Sequence, residues 1–259
     1  MPDYALPARR RAELVRVAKS RGSITVIEIA QQFSVSVDTI RRDLDYLESR
    51  GLLTRTHGGA VPVDGFMDRD TPLATRLSAR VAEKSRIARA AAALISDGET
   101  LLINGGSTTR AFAGELGAHR NLTIVTNNLG LPASIAANAA RSVYLLGGHV
   151  RDELQVTIGA VGFPDAGPIS ADTAIIGVGG LSIRGLSTTL LEEASMIRAM
   201  MDSARRVIAV VDAAKFGASV FAHIAALDRI HTLVTDQGPP PALAAALAEA
   251  GVEVVVAME

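Results

Sequence analysis

Cysteine is missing from this 259-residue chain, and so is tryptophan. The first absence excludes disulfides, iron–sulfur clusters and thiolate zinc. His57, His119, His149, His223 and His231 are scattered without metal-ligand spacing, so neither a metal nor another cofactor is expected. Lysine is scarce as well: Lys19, Lys84 and Lys215 stand against 23 arginines. Long apolar runs are absent, since Gly, Asp or Arg interrupts each one short of the ~20 residues that cross a bilayer. The opening "MPDYALPARRRAEL" carries charge where a secretory leader needs an apolar core. A cytoplasmic protein with no membrane segment is the expectation. Neither sign of charge dominates, with 26 Lys plus Arg against 27 Asp plus Glu. That balance excludes a generally basic protein, so any nucleic acid must meet a local patch. Residues 1–60 hold ten basic and seven acidic side chains, and the remainder sixteen and twenty. The length allows roughly two domains at about one per ~150 residues.

The first sixty residues read as three short helices. "ARRRAELVRVAKSRG" repeats Leu14, Val17 and Ala18 at helical spacing and stops at Gly22. "VIEIAQQF" puts Ile27, Ala30 and Phe33 on one face. After a small-residue turn, "VDTIRRDLDYLESRG" runs to Gly51, with Ser36 placed as N-cap. Its Val37, Ile40, Leu44 and Leu47 form one stripe. With Ile40 at 0°, Asp38 falls near about 160°, Arg42 about 200°, Thr39 about 260° and Arg41 about 100°. Arg42, Thr39 and Asp38 therefore point away from the core, and Arg41 lies on the flank. Read alone, this face needs only the i,i+4 pairs Asp38–Arg42 and Arg41–Asp45, worth ~0.2–0.5 kcal/mol each. The preceding helix and turn favour another use, because the second helix of a helix-turn-helix enters the major groove N-terminus first. "LLTRTHGGAV" then supplies two extended runs around Gly58-Gly59, a wing that carries Arg55 and His57. Arginine can fork onto guanine or grip a phosphate.

Residues 23–61, "SITVIEIAQQFSVSVDTIRRDLDYLESRGLLTRTHGGAV", resemble the winged helix-turn-helix of the DeoR family of bacterial repressors. The resemblance implies contacts with double-stranded operator DNA at Ser36, Thr39, Arg41, Arg42, Arg55 and His57. Angular placement independently supports Arg42 and Thr39 and leaves Arg41 to a phosphate or to Asp45.

Residues 62–80 mix Pro, Gly and charge with weak periodicity and read as a linker. The organisation expected is a DNA-binding domain over 1–61, that linker, and a larger domain over 81–259. From residue 99 short apolar runs alternate with helical patterns: "TLLIN", "LTIVT", "SVYLLG", "TAIIGV", "RVIAVVD", "HTLVTD" and "VEVVVA". Helices are expected near 107–117, 129–140, 190–204 and 240–250. The alternation predicts an α/β fold, a mostly parallel sheet covered on both faces. Ligands of such sheets bind where strands end.

The run ends carry the candidate site. "NGGSTT" places Asn104, Gly105, Gly106, Ser107, Thr108 and Thr109 between a strand and a helix. Glycines admit close backbone approach, and the helix N-terminus offers free N–H groups to an anion. The structural alternative is a plain turn with Ser107 as N-cap. Neither a GK[ST] nor a GxGxxG pattern follows, so nucleotides are not supported. Other ends add Asn127 and Asn128, Gly147, Gly148 and Arg151, Gly177, Gly179 and Gly180, and Asp212 with Lys215. Lys215 is the best placed supporting cation, since a rare lysine suits a compact phosphate charge. In "STTLLEEASMIRAM", Thr189 to Glu192 has capping-box spacing, which leaves Glu193 open.

Residues 84–256 also resemble the sensor domain of the same family, through "INGGSTT", "VTNN", "LLGG", "IIGVGG", "LLEEASMIRAM" and "DAAKFG". That fold is similar to ribose-5-phosphate isomerase and the sugar-phosphate deaminases. The resemblance implies a phosphorylated sugar or polyol as effector and, with the helix-turn-helix, a homo-oligomer, a dimer or tetramer. The competing reading is an active sugar-phosphate isomerase or deaminase. It would use Asp152, Asp212 or Glu193 for proton transfer, yet these form no compact constellation, so no catalytic residue is assigned.

Overall fold

The computed structural model describes residues 7–21, 24–49, 53–56, 58–62, 72–163 and 169–258. Gly22, Gly51, His57 and residues 63–71 of the expected linker lie outside them. The chain divides into two compact units, residues 1–67 and 68–259.

In the first unit the helices are α1 (Pro7–Arg21), α2 (Val26–Phe33) and α3 (Val37–Ser49). A two-residue strand, β1 (Ile24–Thr25), precedes α2, and β2 (Leu53–Thr56) and β3 (Gly59–Pro62) follow α3. The last two pair antiparallel as the expected wing, and β3 also pairs with β1. The β1 strand had no sequence signal at two residues. It depends on Gly59, where a Cβ would come within 1.8 Å of the Ile24 carbonyl oxygen. Thr25 caps α2, accepting from the Glu28 amide at 3.3 Å. Leu14, Ile29, Phe33, Ile40, Leu44 and Leu47 close one apolar core.

The second unit opens with α4 (Leu73–Ser78), a helix inside the segment read as linker; its Leu73 is buried and its Ser78 hydroxyl bonds back to Thr75. Then come α5 (Val81–Ala92), β4 (Thr100–Ile103), α6 (Ser107–Gly114), β5 (Leu122–Thr126) and β6 (Ala140–Leu145). A hairpin follows, β7 (His149–Arg151) with β8 (Val156–Ile158). Next are β9 (Ala171–Ile176), β10 (Gly180–Ser182), β11 (Gly185–Thr188), α7 (Leu191–Asp202) and β12 (Ala204–Val210). The unit ends with β13 (Ala222–Ala225), β14 (Thr232–Thr235), α8 (Pro241–Glu249) and β15 (Glu253–Val256).

All seven expected strands join one sheet in the order β15-β14-β12-β9-β4-β5-β6, with every pairing parallel. Alternation sends Leu101 and Ile103 to the face covered by Ile87 of α5 and Phe112 of α6. Leu102 goes to the face covered by Ile197 and Met200 of α7. Two-sided burial explains why the strands read as apolar runs. The helix expected near 129–140 is instead a three-residue 3-10 turn, Pro132–Ser134. Its alanines favour helix, but Ile135 turns extended and the Ala139 carbonyl accepts from the Leu122 amide at 3.0 Å, so sheet pairing overrides propensity.

Candidate functional site: a DNA-reading face and an anion site

The exposed face of α3 is built from its cap outward. Ser36 accepts from the Thr39 amide at 3.2 Å, and the two hydroxyls meet at 2.8 Å. Arg41 and Arg42 are both exposed. Arg41 pairs with Asp38 at 3.3 Å rather than with Asp45. Asp45 is taken by Arg55, 3.4 Å away, which also donates to the Arg41 carbonyl at 3.3 Å. The expected i,i+4 pairing fails because the wing delivers a second cation to Asp45. Arg55 thus ties β2 to α3, helped by its own amide on Glu48 at 2.9 Å.

Sequence reasoning missed Asp43. It lies three residues past Ile40, about 60° off the apolar stripe on its buried side, and is 2% exposed. Its two oxygens take Arg10 Nε at 2.5 Å and Arg11 Nε at 2.7 Å, and Arg11 stacks 3.8 Å over the Tyr46 ring. Thus Asp43 of the acid-flanked "DTIRRDL" holds α1 against α3.

In the second unit the strand order reverses between β4 and β9, so the crevice lies past their carboxyl ends. Asn104 clips the two together: its Nδ2 donates to the Gly177 carbonyl and its Oδ1 accepts from the Gly177 amide, both at 2.8 Å. Asn127 repeats the device, accepting from the Gly105 amide and donating to the Thr157 carbonyl, again at 2.8 Å. Thr109 is fully buried and donates to the Asn104 carbonyl at 2.8 Å. The polar atoms of Asn104, Asn127 and Thr109 are therefore engaged inside the protein and shape the loop. Gly105 fits because a Cβ there would stand 2.1 Å from Val156 Cγ1. Gly148, at φ 138°, belongs to the β7–β8 hairpin, where a Cβ would meet the Ile158 carbonyl at 2.3 Å.

Ser107 is not the cap of α6. The Gly106 carbonyl accepts the first helical bond, from Arg110 N at 3.1 Å, which makes Gly106 the cap and Ser107 the first helical residue. The hydroxyls of Ser107 and Thr108 have no partner among the described residues, and both side chains are buried. Ser107 lies at one end of a cavity of about 300 Å³ along the flank of α6, walled by Arg110 and Glu115 on that side and by Leu77, Lys84 and Ser85 opposite.

Around this helix end the fold gathers cations from distant positions. Burial holds the Lys215 ammonium below the ordinary lysine range; Asp212 offsets this and Arg76 and Arg80 add to it. Burial lowers Lys84 likewise, against Asp212 and with Lys215, Arg76 and Arg80. Arg76 is lowered by burial, against the attraction of Glu193. Arg80 lies 3.3 Å from Asp212, 3.2 Å from Asp236 and 3.7 Å from Glu83. Of these cations the sequence pointed to Lys215 and, more weakly, Lys84. Arg76 and Arg80 had no signal, because they sit in a stretch without periodicity.

The capping box expected at Thr189–Glu192 does not form. The Leu190 carbonyl accepts the first bond of α7, from Ala194 N at 2.9 Å, and Glu192 is exposed. Glu193 is half-buried and accepts from the Thr188 hydroxyl. Burial raises its carboxyl above the usual range, outweighing Thr188 and Arg76. Asp152 is exposed near the hairpin, and Asp212 is committed to Arg80 and the Ala214 amide. Among the described residues no helix is long and apolar enough to cross a membrane.

Three helices, a hairpin wing and an exposed arginine pair on the second helix of the helix-turn-helix define a winged helix-turn-helix DNA-binding protein, here joined to an α/β unit. Residues 10–65 match the DeoR-like helix-turn-helix domain and residues 79–237 the DeoR C terminal sensor domain. The chain belongs to the DeoR family. It is 34% identical over 236 residues to the glycerol-3-phosphate regulon repressor of Escherichia coli, covering 90% of this chain and 92% of that protein. It is 32% identical over 247 residues to the HTH-type transcriptional repressor GlcR of Bacillus subtilis, covering 95% of each. Among solved structures it is similar to ribose 5 phosphate isomerase A from Neisseria gonorrhoeae, at 13% identity, 51% and 52% coverage and a TM-score of 0.37. The protein is a DNA-binding transcriptional regulator and not an enzyme.

Proposed function

We propose that this regulator is a repressor released from its operator by a phosphorylated sugar or polyol. Residues 1–61 bind DNA, 62–80 join the units, and 81–259 sense the effector and oligomerise. Thr39 and Arg42 face the bases, while Ser36, Arg41, Arg55 and His57 serve phosphates and the wing. Two recognition helices on two copies match a two-fold operator, so the working form is a dimer or tetramer.

The observation that carries the sensing role is the amino end of α6. Ser107 there and Lys84 line one cavity, with Arg76, Arg80 and Lys215 in electrostatic reach of Lys84. Free N–H groups, the unpaired Ser107 hydroxyl and clustered cations suit a phosphoryl group. An effector releases DNA only if it binds the DNA-incompetent arrangement more tightly. The name of the Escherichia coli relative supports a polyol phosphate, and both relatives' names support repression.

Calorimetry with a panel of sugar and polyol phosphates, paired with operator binding, tests the reading. At least one compound is expected to bind and to lower operator affinity. Ser107→Asp sets a carboxylate against the incoming phosphate and is expected to abolish that binding through like-charge repulsion. Aspartate is tolerated in the first turn of a helix. Wild-type affinity in Ser107→Asp would show that the phosphate binds elsewhere.

A further inference from the structure

The six-residue helix α4 is too short to persist unaided in water. Its last carbonyls need partners from outside. Lys84 supplies them: Nζ donates to the Arg76 carbonyl and, at 2.5 Å, to the Ala79 carbonyl. Lys84 belongs to the following helix, α5, and is 6% exposed. The corner between the two helices is Arg80, a non-glycine residue at φ 52°. That left-handed conformation costs of the order of 1 kcal/mol and persists only when its surroundings over-determine it. Here they do, since Arg80 is drawn to Asp212 and Asp236, just past the ends of β12 and β14. The corner is thus pinned to the sheet by Arg80 and closed from inside by Lys84.

Lys84 also lines the cavity that receives Ser107. An ammonium has three donors, and two are spent on α4, which leaves one for the cavity. Burial lowers the proton affinity of Lys84, Asp212 works against this, and Lys215, Arg76 and Arg80 add to it. An anion beside Ser107 offsets the repulsion of these cations and accepts the remaining N–H.

We propose that Lys84 couples effector to DNA: a phosphoryl group at the start of α6, held by the third N–H, tightens the α4–α5 corner, and α4 transmits the change toward the DNA-binding unit. This rests on the anion site proposed above and adds its route of regulation. Covalent continuity supports the route, since α4 begins at Leu73 and the first unit ends at Met67. Lys84 acts on α4 as a positioning residue, so its loss should change what binding does, beyond how tightly the anion binds.

Hydrogen–deuterium exchange over residues 72–80 of the full chain tests the coupling, with inorganic phosphate and glycerol 3-phosphate as probes and calorimetry to set saturation. In the wild type, saturating probe is expected to slow exchange there by about tenfold. Lys84→Met is expected to exchange faster than the wild type without any anion, and to show no slowing at a concentration that saturates its weakened site. Lys84→Gln keeps two N–H donors without the charge and is made alongside, so a misfolded Lys84→Met does not end the test. Equal slowing in wild type and variants, no slowing in a wild type that binds the probe, or unliganded variants that exchange at the wild-type rate overturns the coupling and leaves the anion site standing. A wild type that binds neither probe removes the anion site, and the coupling with it.

Discussion

Asp43 holds Arg10 at 2.5 Å, oxygen to nitrogen, across 33 residues of chain and inside the core of the DNA-binding unit. Arg10 is 6% exposed and Asp43 2%. Removing one member of a buried pair leaves a charge without compensation, which costs ~3–5 kcal/mol. Asp43→Ala is therefore expected to unfold the first unit at markedly lower urea than the wild type. Arg10→Met combined with Asp43→Leu should recover most of the loss. A loss under about 1 kcal/mol, the range of a surface pair, would show that the contact does not hold α1 to α3.

Arg42 is exposed on α3, and neither a hydrogen bond nor an ion pair of its side chain occurs among the described residues. Arg42→Ala should leave thermal stability within about 0.5 kcal/mol of wild type. It should lower operator affinity by ~1–3 kcal/mol and relax discrimination at one base pair. Fluorescence anisotropy on operator variants measures both, and uniform loss across sequences would move Arg42 to a phosphate.

Gly105 leaves no room for a side chain, because Val156 Cγ1 would lie 2.1 Å from an added Cβ. Val156 is itself 2% exposed and cannot swing into solvent. Gly105→Ala is expected to cost ~1–3 kcal/mol by overpacking. Val156→Ala in the same chain should relieve part of it, which a double-mutant cycle detects as non-additivity. Additive costs would mean that the strain lies in the backbone.

Glu193 has its carboxyl raised by burial from a reference of 4.5. A raised folded-state value means that the folded protein binds the proton more tightly than the unfolded chain. The stability this contributes is present below about 4.5 and lost as pH rises through the folded value. Glu193→Gln keeps an acceptor for the Thr188 hydroxyl and removes the ionisation. It is expected to melt above the wild type at neutral pH, and the gap should close as pH falls toward 4.5. A gap that widens on acidification would mean that attraction to Arg76 outweighs burial.

The sequence by itself determined the elements whose period is set by burial. Three amphipathic helices, the Gly58-Gly59 wing and seven strands were legible because apolar spacing reports which side of an element is dry, although in α2 the dry face holds Val26 and Ile29 with Ala30 and Phe33, and Ile27, read as part of it, is 65% exposed. It also placed "NGGSTT" between a strand and a helix, since glycine and hydroxyl residues mark turns. Only the tertiary structure decided which of those polar groups stay free. Asn104 and Asn127 look like ligand residues in the chain, but each meets backbone from another segment, Gly177 and Thr157 respectively. The cation cluster was equally hidden, because Arg76, Arg80, Lys84 and Lys215 come together through the packing of α4 and α5 near the ends of β12 and β14. Local pattern fixes what a residue can bury, whereas partners contributed from far along the chain exist only once the fold has brought them together.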